Sequence, residues 1–201
     1  MEIVPRIVEI SGLPSSGKTT LVNNLFRFFE KNGYKCRIIP ESATEIKKEG
    51  MSGEEKLSLN FFLMTILRTA EEILRVDGED DLDFILVDRG LLDRLIWNEW
   101  MVREVLIDRN SFTILKMFIE YVYSEHSNWK TIILLISFQE AMRRHRQRSG
   151  TVLNRSYFAN MKNIYKDKKI FKDLYQSSII LLDTSNLSKH KILELALEKL
   201  K

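Results

Sequence analysis

The chain has 201 residues, 44% of them apolar and 29% charged, with a formal net charge of +3. This is an ordinary globular composition, long enough to bury a core without staples, and a charge this small argues neither for nor against nucleic acid. One cysteine excludes an internal disulfide and suits a reducing cytoplasm, and neither a signal pattern at Met1–Arg6 nor a bilayer-length apolar run is present, so a soluble cytoplasmic protein is expected.

Arg6 to Ser11 is short and β-branched and precedes a glycine loop, which predicts a first strand. Thr19 to Lys31 places Leu21, Leu25, Phe28 and Phe29 on one helical face, and Asn32-Gly33 ends it. Lys35 to Pro40 predicts a second strand, where Cys36 reads as a buried, inert thiol. Ser52 with Glu55 forms a capping-box pattern for a long helix reaching about Val76. Asp83 to Asp88 predicts a third strand, and helical segments fill Leu91 to about His126. Lys130 to Ser137 is almost wholly apolar, as suits a strand covered on both faces of a parallel sheet. Helices near 138–148 and 155–175, a strand over Ser178–Asp183 and an amphipathic helix over about 187–200 complete the chain.

Gly12-Leu13-Pro14-Ser15-Ser16-Gly17-Lys18-Thr19 matches G-x-x-x-x-G-K-[ST] in full. Such a loop curls its amides, those of Ser15, Ser16, Gly17 and Thr20 among them, around phosphate oxygens at a helix N-terminus. Lys18 would reach the β- and γ-phosphates of ATP, and Thr19 would place its hydroxyl on Mg²⁺. Asp88, ending an apolar strand, is the natural second magnesium contact, with helix capping as its competing role. The alternation of strands and helices then predicts a three-layer α/β P-loop NTPase fold. It would have a five-stranded parallel sheet, helices on both faces, and one domain over 1–201.

Arg89, not a carboxylate, follows Asp88, and no Asn-Lys-x-Asp motif is present. Both features point to phosphoryl transfer to a bound acceptor. Arg143, Arg144, Arg146 and Arg148 precede Gly150 and predict an arginine-rich lid over about 143–154. Arg144 and Arg148 share a helical face and would want an anion between them. The competing reading is a solvated basic helix face; His145, inside the lid, reads as solvent-facing rather than catalytic.

The loop at 12–19, an acidic segment after the second strand, the Asp88-Arg89 pair and the late arginine-rich stretch, in this order, resemble the thymidylate kinase and deoxynucleoside kinase group. The resemblance covers nearly the whole chain. It implies that Glu41, in Pro40-Glu41-Ser42, is the general base for an acceptor hydroxyl, with Glu45 a weaker competitor and a solvated strand end as the other reading of Glu41. It implies that Arg68, in the stretch Phe61 to Leu74, contacts substrate, with a snorkelling surface arginine as the competing reading, and that Arg89 faces the acceptor's 5′ end. Asp93-Arg94 follows as in that group but one residue early. Gly90 fits neither subgroup, and Gly150 stands where a further lid arginine is expected. Trp97, Trp100, Phe61 and Phe62 are candidates either for stacking on a base or for the core.

The expectation is thus an ATP- and Mg²⁺-dependent kinase of a small acceptor, with a nucleoside or nucleoside monophosphate the preferred class. A nucleotide-dependent regulatory ATPase and a kinase of a non-nucleotide metabolite are the rival readings. The resemblance also allows a homodimer, and a nucleic-acid partner is not expected.

Overall fold

A computed structural model of the protein describes residues 6–43, 46, 58–78, 81–126, 128–167, 169–170 and 179–200. Among these, strands β1 (Ile7–Gly12), β2 (Cys36–Ile39), β3 (Phe84–Asp88), β4 (Trp129–Leu135) and β5 (Ile179–Asp183) form one parallel sheet in the order β2-β3-β1-β4-β5. Ile7 lies opposite Ile85 of β3 on one side and Trp129 of β4 on the other. Both faces of β1, β3 and β4 are covered, which explains their near-continuous apolar sequences.

One face, carrying Val8, Ile10, Leu86 and Leu134, packs against α1 (Lys18–Lys31) and α7 (Lys189–Leu200). The opposite face, carrying Ile7, Ile85, Val87 and Ile133, is covered by α2 (Leu59–Asp77), α3 (Leu91–Arg103), α4 (Arg109–Ser124) and α6 (Arg155–Lys166). Ala141 of α5 (Phe138–Ser149) joins this second layer. The three-layer arrangement is the one expected from the alternation of elements.

Several boundaries differ from the sequence reading, each for a local reason. The described start of α2 is capped by Ser58, whose side chain accepts from the Phe61 amide, while Ser52, Glu55 and the capping box lie outside the described residues. The helical stretch over 91–126 is broken after Arg103, where Val105 takes a φ of 58° and Asp108 caps a new helix by accepting from the Asn110 and Ser111 amides. Helix α6 ends at Lys166 because Asp167 turns extended. The Asp167 carboxylate accepts from the Lys169 amide and pairs with Arg103, a local alternative to continuing the helix.

Candidate active site

The loop between β1 and α1 sits at the carboxyl edge of the sheet, where ligands bind in open parallel α/β folds. Gly12 takes a φ of 137°, and a Cβ there would lie 2.2 Å from the Leu134 carbonyl oxygen, so only glycine lets the loop start this close to β4. Thr184, just past β5, donates to the Ser16 carbonyl and holds the loop from the other side. The hydroxyl oxygens of Ser15 and Ser16 are buried without a hydrogen-bond partner among the described residues.

Lys18 folds back over the loop and donates to the carbonyls of Gly12 and Leu13, each at 2.8 Å. Burial, aided by the nearby Arg89 guanidinium, pulls its pKa down to about 7 against the opposing pull of Asp93, Asp88 and Glu41. Thr19 donates to Asp88 Oδ2 at 2.7 Å, and Asp88 Oδ1 is buried without a partner among the described residues. Burial raises the Asp88 pKa, with Thr19, Lys18 and Arg89 acting against it. A hydroxyl and a carboxylate joined this way, with one carboxylate oxygen unused, fit Mg²⁺, which takes few protein ligands and completes its shell with water and phosphate.

Arg89 follows directly with a φ of 60°, an uncommon conformation for a residue with a side chain and one that clusters at functional sites. Its Nε lies 3.5 Å from Glu41 Oε1 and its Nη1 3.8 Å from Asp93 Oδ2. Arg94 Nη2 approaches the same Glu41 oxygen at 3.6 Å. Two guanidinium groups thus flank Glu41, which extends from the end of β2 towards the loop. Although burial opposes it, the carboxylates of Asp93 and Glu41 raise the Arg89 pKa above its ordinary value.

Asp93, fully buried, links this acidic and basic cluster to the loop. Its Oδ1 accepts from the Ser11 hydroxyl, the Gly12 amide and the Tyr165 hydroxyl. Burial opposes its ionisation, but Arg89, Arg94 and Lys18 more than offset that and hold its pKa below the ordinary value. Glu9, two residues before Ser11 on β1, accepts from the Leu92 and Asp93 amides and from the Tyr123 hydroxyl, so it serves as the N-terminal cap of α3. Burial pushes its pKa up to about 7 despite those three donors.

A cleft of about 630 Å³ opens from the loop between α1 and α5, a size common for small-molecule sites. Lys18, Thr19, Thr20, Arg89, Arg144 and Arg148 line it. Ser185 to Lys189 also line it, and α7 begins only at Lys189, so residues read from sequence as the helix start partly form a cleft wall. Arg144 is not waiting bare for an anion. It donates to Glu140 and to the Thr184 carbonyl, while Arg143 also holds Glu140. Hydrogen bonds from Arg143 first, then Arg144, pull the Glu140 pKa down to about 2. Arg146 is exposed, and His145 pairs with Thr151.

Of the other expected site residues, Arg68 is half-buried on α2 and does not line this cleft. Glu45 lies outside the described residues. Phe61 and Phe62 are core residues, while Trp97 and Trp100 pack with Tyr157 in a half-buried aromatic cluster. Sequence reasoning passed over the roles of Glu9, Asp93, Glu140 and Tyr165. The available signal was charge placed inside apolar runs, as in Ile7-Val8-Glu9-Ile10 and Leu91-Leu92-Asp93-Arg94-Leu95.

The family model described as AAA domain matches residues 7–113, just over half of the chain. The chain belongs to the AAA domain family. The match takes in β1 through the first part of α4, and with them the loop, Glu41, Asp88, Arg89, Asp93 and Arg94. No curated protein sequence matches. Among solved structures, deoxyadenosine kinase from M. mycoides with bound dATP is similar with a TM-score of 0.67 and 18% identity, over 96% of this chain and 98% of that one. A gluconokinase from Sinorhizobium meliloti 1021 is similar with a TM-score of 0.56 and 15% identity, over 98% of this chain and 92% of that one. At such identities these likenesses establish the fold, a P-loop fold shared with kinases of different acceptors.

Proposed function

We propose that this protein is a phosphotransferase that moves the γ-phosphoryl group of ATP onto a small hydroxyl acceptor, a nucleoside or nucleoside monophosphate by preference. The observation that carries the reading is the position of Glu41, held between Arg89 and Arg94 beside the phosphate loop. A hydrolytic ATPase needs a carboxylate that orients water, whereas a carboxylate beside two guanidinium groups suits an acceptor hydroxyl and a transferring phosphoryl group.

In this reading Lys18 and the loop amides hold the β- and γ-phosphates. Thr19 and Asp88 would hold Mg²⁺, which would supply charge neutralisation for the phosphates. The acceptor oxygen forms a bond to the γ-phosphorus, the bond from that phosphorus to the β,γ-bridging oxygen breaks, and Glu41 takes the acceptor's proton. Arg89, Arg144 and Arg148 stabilise charge on the moving group, and the segment about 143–154 acts as a lid that excludes water. The likeness to M. mycoides deoxyadenosine kinase supports a nucleoside acceptor, and Arg68 keeps its proposed part in substrate contact. Burial pushes the Cys36 thiol up to about 12, so it stays protonated and unreactive, and a cytoplasmic location is part of the proposal. So is a homodimer.

A second reading, a nucleotide-dependent switch, is favoured by the AAA domain match alone. ADP release from Mg-ATP, measured with and without nucleosides, nucleoside monophosphates and sugar acids, separates the two. One acceptor should stimulate release, with losses on the order of a hundredfold or more in both Lys18→Ala and Glu41→Gln. A flat response across the panel, with Mg-ATP still bound, would transfer the assignment to the switch.

A further inference from the structure

Two neighbours on α3 break the rule that buried polar groups find partners. Arg94 is 3% exposed, and its Nε and Nη2 have no hydrogen-bond partner among the described residues. Asn98 is 0% exposed, and both its amide nitrogen and its amide oxygen lack one. The residues are four apart, so they share one face of the helix. Arg94 identifies that face as the one turned to Glu41, since its Nη2 stands 3.6 Å from Glu41 Oε1, an electrostatic approach too long for a hydrogen bond.

We infer that Arg94 and Asn98 are the acceptor-recognition pair, and that they take an uncharged molecule presenting both a hydrogen-bond donor and an acceptor. The inference rests on the phosphotransferase reading above. Nε and Nη2 form the side-on fork of a guanidinium, which suits lone pairs on oxygen or nitrogen. The Asn98 amide offers one donor group and one acceptor, the complement of a heterocycle edge or of neighbouring hydroxyls.

Charge balance decides against an anionic group here. Arg89 and Arg94 lie beside the carboxylates of Glu41 and Asp93, so a group arriving here meets negative as well as positive charge. A phosphomonoester would add negative charge next to Glu41. The pair is closed off from solvent, so an acceptor enters only when the side chains over it move aside.

The test compares wild type with Asn98→Leu and Arg94→Met, apolar replacements of similar size. Asn98→Leu removes an unsatisfied buried amide, so it should fold and melt no lower than wild type. Calorimetry and steady-state kinetics would use deoxyadenosine, thymidine, D-ribose, gluconate and thymidine 5′-monophosphate. At least one uncharged probe should bind wild type, and nucleosides set against ribose show whether a heterocycle or a polyol is read. In each variant the KM for that probe should rise by about tenfold to a hundredfold; kcat should change much less in Asn98→Leu, whereas Arg94→Met, which also loosens Glu41, should lower kcat as well.

Wild-type KM values in both variants would overturn the assignment and indicate that ordered water satisfies these groups. Binding of charged probes alone, or of no probe, would overturn it too. The two readings fail separately. A probe that binds wild type, weakens in both variants and draws no ADP release removes phosphoryl transfer but keeps the recognition pair. Equal acceptor-stimulated release in all three proteins does the reverse.

Discussion

Lys18 holds its proton loosely, because its ammonium is buried against two carbonyls and faces Arg89. At a pKa of about 7 it is largely neutral at pH 8, and the phosphates of a bound nucleotide would restore its charge. Binding of Mg-ATP at pH 8 should therefore take up close to one proton, and affinity should fall as pH rises above 7. The sign for stability follows from the same shift: between about 7 and the ordinary 10.5 the unfolded chain binds more protons, so this group makes the nucleotide-free fold more stable as pH rises through that window. Calorimetry in buffers of different ionisation enthalpy reads the uptake directly. The same uptake in Lys18→Ala would show that another group titrates. Lys18, Thr19 and Asp88 were legible from the motif because its chemistry depends on local spacing. Asn98 was not, since its burial depends on what packs over α3.

At the scale of elements, the start of α3 shows how a strand and a helix specify each other. Gly90 precedes the helix without capping it by a side chain, and Glu9 of β1 fills that role. A Cβ on Gly90 would lie 2.6 Å from the Glu9 carboxyl carbon, so close docking explains the glycine that neither kinase subgroup shares. Gly90→Ala should cost about 1 to 3 kcal/mol in urea denaturation. The loss should shrink by about 1 kcal/mol or more when Glu9→Ala is already present. Additive losses would show that the two residues do not meet in solution. The helix itself was visible from sequence, but its break at 104–108 was not, because the apolar pattern runs on through Leu106 and Ile107.

Across the whole molecule, α4 exposes Ile114, Met117 and Tyr121 along one stripe, and the adjoining α2 exposes Leu63, Leu67 and Leu74. Apolar stripes on two touching helices are a natural association surface, and the proposed homodimer would cover them. Sedimentation equilibrium at micromolar concentration should give the dimer mass, and Ile114→Glu with Met117→Glu should give a folded monomer. A monomeric wild type would remove the dimer from the proposal.

Sequence by itself determined the layer order, the parallel sheet and the phosphate loop, because strand and helix periodicity and the loop's glycine spacing are encoded within short stretches. Tertiary structure decided the rest. It brought Glu41 to Arg89 and Arg94 from separate elements, and it set Glu9 beneath α3 and Asp93 beneath the loop. It also tied Arg144 to the carbonyl that follows β5. Each of these depends on desolvation and on partners distant along the chain, so the same carboxylate or guanidinium reads alike in sequence whether it faces water, a core or a ligand.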